Sequence, residues 1–541
     1  MDFDEILEEL GEFGRYQITN YLLICLPVFF AAANSLSYVF TAAVPRYRCL
    51  VPGCDEGGGA AKYAEAWVER AVPPLKGARP GAFSPEYCLR FVALGNASAS
   101  HPDGCPIDFG NAEERCDQWV FDSEDIWTIV GQWNITCSNK QWQLSLVGTV
   151  HFAGIFLGTI LFGFLADRFG RKLVFIFCIL LMSVTGVAQA VAPDYIVFQV
   201  FVFLNALGTS GVFPLAFIIG VELVGRRRRE MSGIVLNYFY ALGEAAVALV
   251  AWLSRDWVWL QLLVSAPAGI FVIYYWFIPE SVRWLLARRE DGRATRIIRR
   301  AAEVNGVVLS ERLLTPPSPD PAKEGEKGGE AAGGPEQVQG LLATVLQVAR
   351  SRKLLVRALL LFFIWAANAF VYYGLSVNST SLGGDKYLNF ALVCLVEIPG
   401  YTVAWLLMNR LGRRMSLGGS LGLCALTCIG AAFVPVGMEW AEIVLFLVGK
   451  LGITSSFGVV FVYTAELYPT PMRSAGVGMS STVARVGAMV APFAPLLGQV
   501  YAPLPLLLFG GVSLIASLFT LTLPETLGTR LPDTVDEVEK L

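Results

Sequence analysis

Five ionisable residues lie within stretches that are otherwise apolar enough to cross a membrane: His151, Glu244, Glu397, Lys450 and Arg485. A charge at bilayer depth costs on the order of 3 kcal/mol or more, so it must face protein or water, and it commonly marks the path of a polar solute. The chemistry on offer is binding rather than bond-making. The Arg485 guanidinium can grip a carboxylate through two hydrogen bonds, and the Glu244 or Glu397 carboxylate can neutralise an amine or quaternary ammonium. Glu397 and Lys450 could equally neutralise one another within the second half of the chain. Glu244 has no basic partner in the membrane stretches of the first half. His151 stands near the end of its stretch and suits packing or a local hydrogen bond. Aromatic faces attract ammonium groups by about 0.5–2 kcal/mol each. Phe213, Tyr240 (four residues before Glu244), Trp365 and Tyr372 could complete a cation pocket, although any single ring in a membrane helix can be plain packing.

The elements that must position these groups are membrane helices. The chain has 541 residues, of which 55% are hydrophobic and only 16% charged, a balance that excludes an ordinary soluble protein. A helix needs about 20 apolar residues to span a bilayer. The sequence predicts twelve such runs, at 20–42, 143–166, 172–192, 195–221, 231–253, 257–278, 354–377, 386–408, 415–435, 440–465, 473–498 and 502–523. The expected fold class is an all-α membrane protein.

The chain is also duplicated. The turn Gly163-Phe164-Leu165-Ala166-Asp167-Arg168-Phe169-Gly170-Arg171-Lys172 is echoed by Met408-Asn409-Arg410-Leu411-Gly412-Arg413-Arg414. Glu222 before a basic run is echoed by Glu466 before Arg473, and Pro279-Glu280-Ser281 by Pro524-Glu525-Thr526. The offsets agree: 409 − 167 = 242, 466 − 222 = 244 and 524 − 279 = 245. Three matches in register argue for two homologous six-helix bundles.

Basic residues fall in alternate short connections: Arg168, Arg171 and Lys172; Arg226 to Arg229; Arg410, Arg413 and Arg414; Arg473. The positive-inside tendency makes these connections cytoplasmic, and an even helix count then puts both termini inside. The acidic opening segment carries no secretory signal peptide. Asp167 is expected to meet the positive N-terminal end of a neighbouring helix, with Glu222 facing Arg226 to Arg229 and Glu466 facing Arg473. With Arg168, Arg171, Arg413 and Arg414 these charges suit a latch on the cytoplasmic side of each half, closed in one conformation and loosened in another. The bland alternative is that they anchor helix ends.

The predicted organisation is a cytoplasmic N-terminus (1–19), a first bundle (20–278) that includes an extracellular loop at 43–142, a cytoplasmic helical region and linker (279–353), a second bundle (354–523) and a cytoplasmic C-terminus (524–541). The long loop holds Cys49, Cys54, Cys88, Cys105, Cys116 and Cys137, which read as three disulfides among fifteen possible connectivities. The rival, a zinc site, lacks paired Cys-x-x-Cys spacing. Sequons at Asn96, Asn134 and Asn378 are candidate glycosylation sites. Residues 315–336, rich in Pro, Gly, Glu and Lys, read as a flexible linker. No cofactor or metal motif stands out, and a net charge of −4 suggests no nucleic-acid partner.

The turn at 163–172 resembles the signature of the major facilitator superfamily. Within it, Pro279-Glu280-Ser281-Val282-Arg283-Trp284, Thr464-Ala465-Glu466-Leu467-Tyr468-Pro469-Thr470, Leu523-Pro524-Glu525-Thr526-Leu527-Gly528 and the opening Leu10-Gly11-Glu12-Phe13-Gly14-Arg15 are similar to the organic cation, carnitine and anion transporters of solute carrier family 22. The resemblance covers essentially the whole chain. It implies two pseudo-symmetric bundles around a central cavity and alternating access at the plasma membrane. Cation carriers of that family tend to have Asp where this chain has Asn368 and Arg485, whereas carnitine and anion carriers tend to have Arg at the latter. Glu397 and Lys450 match carnitine-type members, Phe213 and Tyr372 align with pocket-lining aromatics, and Glu244 is unusual. The expectation is a carrier of small organic cations or zwitterions, with a sodium ion or proton as a possible coupled ion. The alternative is an organic-anion exchanger using Arg485 and Lys450, and a more distant one a transport-dead receptor binding through the long loop. Phosphate loops, His-rich metal motifs and nucleophile elbows are missing from the sequence, which speaks against an enzyme.

Overall fold

The structure, a computed structural model, describes residues 3–11, 13–55, 61–75, 84–96, 104–225, 228–310, 351–435, 437–469 and 472–528. Among them, 12 helices are long and apolar enough to cross a membrane: span 1 Arg15–Thr41, span 2 Trp142–Phe169, span 3 Arg171–Ala190, span 4 Tyr195–Leu223, span 5 Met231–Ser254, span 6 Trp257–Phe277, span 7 Arg352–Ser381, span 8 Lys386–Leu411, span 9 Arg413–Ala432, span 10 Glu439–Leu467, span 11 Ala475–Leu497 and span 12 Leu504–Leu521. The chain is a multi-pass membrane protein. The long loop between spans 1 and 2 marks one face, and the arginine-rich turns mark the other, called here the loop face and the basic face.

Local chemistry starts and stops these helices. Asp194, Asp256 and Asp385 cap spans 4, 6 and 8 at the loop face, each accepting from a backbone amide two residues on at 2.6–2.9 Å. On the basic face, Gly170 (φ 104°) and Gly412 (φ 92°) turn span 2 into span 3 and span 8 into span 9, in a backbone conformation open to glycine. Span 8 is interrupted at Val396, between Lys386–Leu395 and Glu397–Arg410. Pro399 has no amide to offer the Leu395 carbonyl, so the ladder breaks there, and Glu397 sits at the break.

The duplication in the sequence is a duplication in packing. Spans 1 and 5, 2 and 4, 3 and 4, and 3 and 6 pack together, and so do 7 and 11, 8 and 10, 9 and 10, and 9 and 12. Small residues permit the closest approaches. A Cβ at Gly208 would fall 2.6 Å from the Met182 backbone of span 3, and one at Gly452 would fall 2.9 Å from the Ser420 backbone of span 9.

The two halves meet firmly toward the loop face. Thr149 of span 2 donates to the Met489 carbonyl of span 11 at 2.8 Å. Phe152 packs on Tyr373 at 4.5 Å between centroids, Phe40 stacks on Tyr387 at 5.4 Å, and Lys386 is paired with Asp125. Nearer the basic face, Tyr238 shares a 2.6 Å hydrogen bond with Thr402, linking spans 5 and 8.

The long loop forms a small folded unit. Disulfides join Cys49–Cys116, Cys54–Cys105 and Cys88–Cys137, which resolves the pairing that the sequence left open. Strand β1 (Tyr47–Cys49) pairs with β4 (Trp119–Phe121), and β2 (Leu89–Asn96) with β3 (Ile107–Arg115), both antiparallel. Trp67, Val68 and Ile107 anchor its core, over which the buried pair Arg48–Asp55 closes at 2.7 Å. Asn134 is exposed at a left-handed turn and Asn96 ends β2. Asn378 is buried, and its side-chain oxygen accepts from Ser381 Oγ at 3.1 Å.

On the basic face, helix Phe3–Glu9 docks on helix Asp291–Asn305. Asn305 fastens the join. Its amide nitrogen donates to the Leu10 carbonyl and to Gln17, and its amide oxygen accepts from the Tyr16 backbone at 2.9 Å. The linker at 315–336 and Arg226 lie outside the described residues.

Candidate functional site

Three of the five intramembrane ionisable residues converge where spans 5, 7, 8 and 10 meet. Glu244, Glu397 and Lys450 are all at 0% exposure. Lys450 Nζ stands 2.8 Å from Glu397 Oε1. It also donates to Ser376 Oγ at 2.8 Å and to the Tyr372 carbonyl at 3.3 Å, and it lies 3.5 Å from the Tyr372 ring centroid. This ammonium is fully engaged by the protein.

Glu244 is not. Its carboxyl stands within hydrogen-bond reach of the Glu397 carboxyl and in the field of Lys450, and no amide or hydroxyl among the described residues donates to either of its oxygens. Two carboxylates share one ammonium, which leaves a formal charge of −1 if both are ionised. Tyr38, Tyr240, Tyr372, Tyr373 and Tyr401 stand within electrostatic reach of Glu244. Phe213 meets Tyr240 edge to face at 5.3 Å.

Arg485 of span 11 comes alongside the Tyr373 hydroxyl, and its buried Nε has no hydrogen-bond partner among the described residues. Charge of both signs therefore reaches the interface between the halves, with Tyr373 between Arg485 and the acidic pair. In this conformation the acidic pair is sealed rather than open to a solvent-filled chamber. Trp365 is turned elsewhere, donating to Thr464 at 2.9 Å and packing on Phe461 at 4.4 Å. Asn368 is satisfied by Ser456 at 2.6 Å. His151 approaches Ser35 at 3.5 Å and tilts against the Tyr38 ring. Tyr38 and Tyr401 had no signal in the sequence, because neither sits beside a charge along the chain.

At the basic face each half carries the same charged assembly. Arg171 pairs with Glu222, whose other oxygen accepts from Ser281 Oγ at 2.5 Å. Arg413 pairs with Glu466 at 3.1 Å, and Glu466 accepts from Thr526 Oγ1 at 2.6 Å. The Glu280 carboxylate accepts from the first amides of span 3, Arg171 and Lys172, at 3.1 and 3.0 Å. Glu525 does the same for Arg413 and Arg414 at 2.8 and 3.1 Å.

Two expected partnerships are corrected, those of Asp167 and Glu466. The carboxylate at the positive end of span 3 is Glu280, not Asp167, whose side chain is mostly exposed and only 3.7 Å from Arg171. Glu222 takes Arg171 across the packed spans 3 and 4, and Arg226 and Arg227 of the run expected to face it lie outside the described residues. Glu466 likewise takes Arg413, while Arg473 donates to the Ala465 carbonyl at 2.7 Å and so serves the last turn of span 10. Arg168 is exposed, its side chain over Phe169. The repeated Pro-Glu-Ser/Thr motif was the signal for Glu280 and Glu525.

Two carboxyls outside the spans are tuned by their surroundings. Burial pushes Glu525 up, but the amides of Leu527, Arg413, Thr526 and Arg414 outweigh it and hold the group below the usual carboxylate range. Burial likewise raises Asp125, and the Lys386 ammonium with the Arg46 and Ile126 amides brings it below that range.

Comparison with known proteins matches residues 109–535 to the family described as sugar (and other) transporter. The chain is 35% identical to the organic cation transporter protein of Drosophila melanogaster, covering 100% of this chain and 95% of that one. It is 33% identical to organic cation/carnitine transporter 2 of Homo sapiens (99% and 94%) and 32% identical to solute carrier family 22 member 3 of Mus musculus (100% and 96%). Among solved structures it is similar to the xylose transporter XylE from E. coli in a partially occluded inward open conformation. The TM-score there is 0.60 at 15% identity, over 95% of this chain and 100% of the other.

Proposed function

Because the chain belongs to the sugar (and other) transporter family, in its solute carrier family 22 branch, and is thus a transporter of the major facilitator superfamily rather than an enzyme, we propose that its cargo is a small organic cation or zwitterion. One observation carries this reading. Glu244 is a fully buried carboxyl set against a second carboxyl, Glu397, beside a lysine that other groups already occupy. A cationic cargo would supply the missing charge, and the tyrosine rings around it would add cation–π attraction. In a zwitterion, the carboxylate would go to Arg485.

The site lies between the halves, so rocking of one half against the other exposes it to each face in turn. The paired assemblies Arg171–Glu222 and Arg413–Glu466, each backed by Glu280 or Glu525, are the latches that hold span 3 to span 4 and span 9 to span 10 in this conformation and loosen in the other. We place the carrier in the plasma membrane, with the long loop outside and both termini in the cytoplasm, in keeping with the arginine-rich turns. Its coupled ion is sodium or a proton.

Uptake of labelled tetraethylammonium, carnitine and an aromatic carboxylate by cells expressing the full chain tests the reading. The first two should accumulate, and Glu244→Gln should cut both by about tenfold, the worth of one charge-assisted contact of about 1.5 kcal/mol. Uptake confined to the carboxylate would overturn it in favour of an anion exchanger, a reading that the unpartnered Arg485 Nε supports and the engaged Lys450 opposes.

A further inference from the structure

The unmatched carboxyl poses a problem when no cargo is present. With both Glu244 and Glu397 ionised against Lys450, and Arg485 held off behind Tyr373, one negative charge would lack a direct partner in the interior, a costly arrangement. Neither carboxylate could satisfy the other, since each only accepts hydrogen bonds. One proton removes both difficulties. A protonated carboxyl donates to its neighbour, and two carboxyls, one proton and one ammonium sum to zero. An arriving organic cation also brings the sum to zero, but only if that proton leaves.

Resting on the reading of this site as a cation site, we propose that Glu244 and Glu397 form a proton site at the interface of the halves, from which one proton departs to the solvent as one cargo cation binds. The carrier is then an electroneutral exchanger of protons for monovalent organic cations. The balance closes: the Glu244–H bond breaks, the proton goes to water on the side to which the site is open, and the carboxylate pairs with the cargo. On the other side the cation leaves and a proton returns. No covalent or redox step is involved.

The surroundings of the pair favour Glu244 and Glu397 as the exchanging groups. Span 1 contributes Tyr38, span 5 itself Tyr240, span 7 Tyr372 and Tyr373, and span 8 Cys394 and Tyr401. These are phenols and a thiol, neutral at physiological pH. Span 10 brings Lys450, which is held by Ser376 and Tyr372, and span 11 brings Arg485 behind Tyr373. Spans 4 and 6 also pack on span 5, and their acidic groups, Glu222 and the capping Asp194 and Asp256, sit at the membrane faces. His151 of span 2 reaches Ser35 and Tyr38 rather than the pair.

The full chain in proteoliposomes holding the pH dye pyranine, with the membrane potential clamped, decides the matter. With the interior more acidic by about one pH unit, tetraethylammonium should concentrate inside by about tenfold while the dye reports alkalinisation. In Glu244→Gln the protons moved per tetraethylammonium should fall by about tenfold, whatever the remaining rate. Separately, a hydrophobic carbodiimide, which attacks protonated buried carboxyls, should label Glu244 or Glu397 in the wild-type protein, and tetraethylammonium should protect them. Counterflow of tetraethylammonium that ignores the proton gradient would overturn the exchange and leave the carrier reading standing. No counterflow with either tetraethylammonium or carnitine would overturn both. Absence of carbodiimide label on either glutamate would overturn the proton site.

Discussion

Lys450 Nζ lies 2.8 Å from Glu397 Oε1 with neither side chain in contact with solvent. The pair joins span 10 to the broken span 8, and it is the scaffold against which Glu244 stands. Removing one partner of such a pair costs about 3–5 kcal/mol when the other has no substitute. Here the two sides differ. Glu397→Gln leaves Lys450 with Glu244 nearby, whereas Lys450→Met leaves two carboxyls and no cation. Lys450→Met should therefore lose at least about 3 kcal/mol and much of its thermal stability in detergent, and Glu397→Gln about 1 kcal/mol. Equal losses in a thermal-shift comparison would contradict this asymmetry.

Gly170 and Gly412 are required by what stands over them. A Cβ at either would fall 2.6 Å from the Glu280 or Glu525 carboxylate, and both residues hold a positive φ. Alanine at either position should slow transport severalfold and cost about 1–3 kcal/mol. Gly163 has open space on its side-chain side, with nothing within 4 Å of where a methyl would stand, and should accept alanine with no measurable change in rate. Uptake rates for the three variants at matched surface expression check the contrast.

The latches should be separable from cargo binding. Glu222→Gln and Glu466→Gln each weaken an arginine pair about as exposed as its partner, and each keeps the hydroxyl contact from Ser281 or Thr526. Expected is a fall in maximal uptake rate of about fivefold, a coupling near 1 kcal/mol, with little change in half-saturation. The charge swap Arg171→Glu with Glu222→Arg should recover part of the rate. A change confined to half-saturation would mean that these residues bind cargo.

Much of this was legible in the residues. Helix number follows from the length of apolar runs, and the repeated spacing around Asp167, Glu222 and Pro279 announced the doubled fold before any contact was known. Partnerships across helices were less legible. Glu222 looked matched to the arginines following it, and nothing in that run announced that span 3, lying against span 4, brings Arg171 to it. Glu397 and Lys450 could be paired on the grounds of charge alone. That Glu244, from the other half, would stand beside them could not, since nothing in linear spacing tells which faces of two bundles meet.

Asp125 gives the contact between the halves a pH dependence. Its carboxyl is held below the ordinary range, chiefly by Lys386 against the opposing effect of burial. Stabilisation from a depressed carboxyl is complete above its unfolded value, about 3.9, and is lost as pH falls through the folded value. Closure at the loop face should therefore be indifferent to pH from neutral down to about 5 and weaken only in stronger acid. Lys386→Met should bring the onset of that weakening to higher pH, as read by crosslinking of cysteines introduced at Thr149 and Met489. An onset that Lys386→Met leaves unmoved would show that another group controls it.

The disulfide-stapled loop rides on the first half, bound through spans 1 and 2, while Lys386 of the second half reaches it through a single aspartate. The loop is thus a rigid outrigger that must part from its neighbour in every cycle. An antibody fragment gripping both the outrigger and the turn before span 8 would arrest the carrier without touching its cargo pocket, giving an inhibitor whose selectivity owes nothing to the substrate.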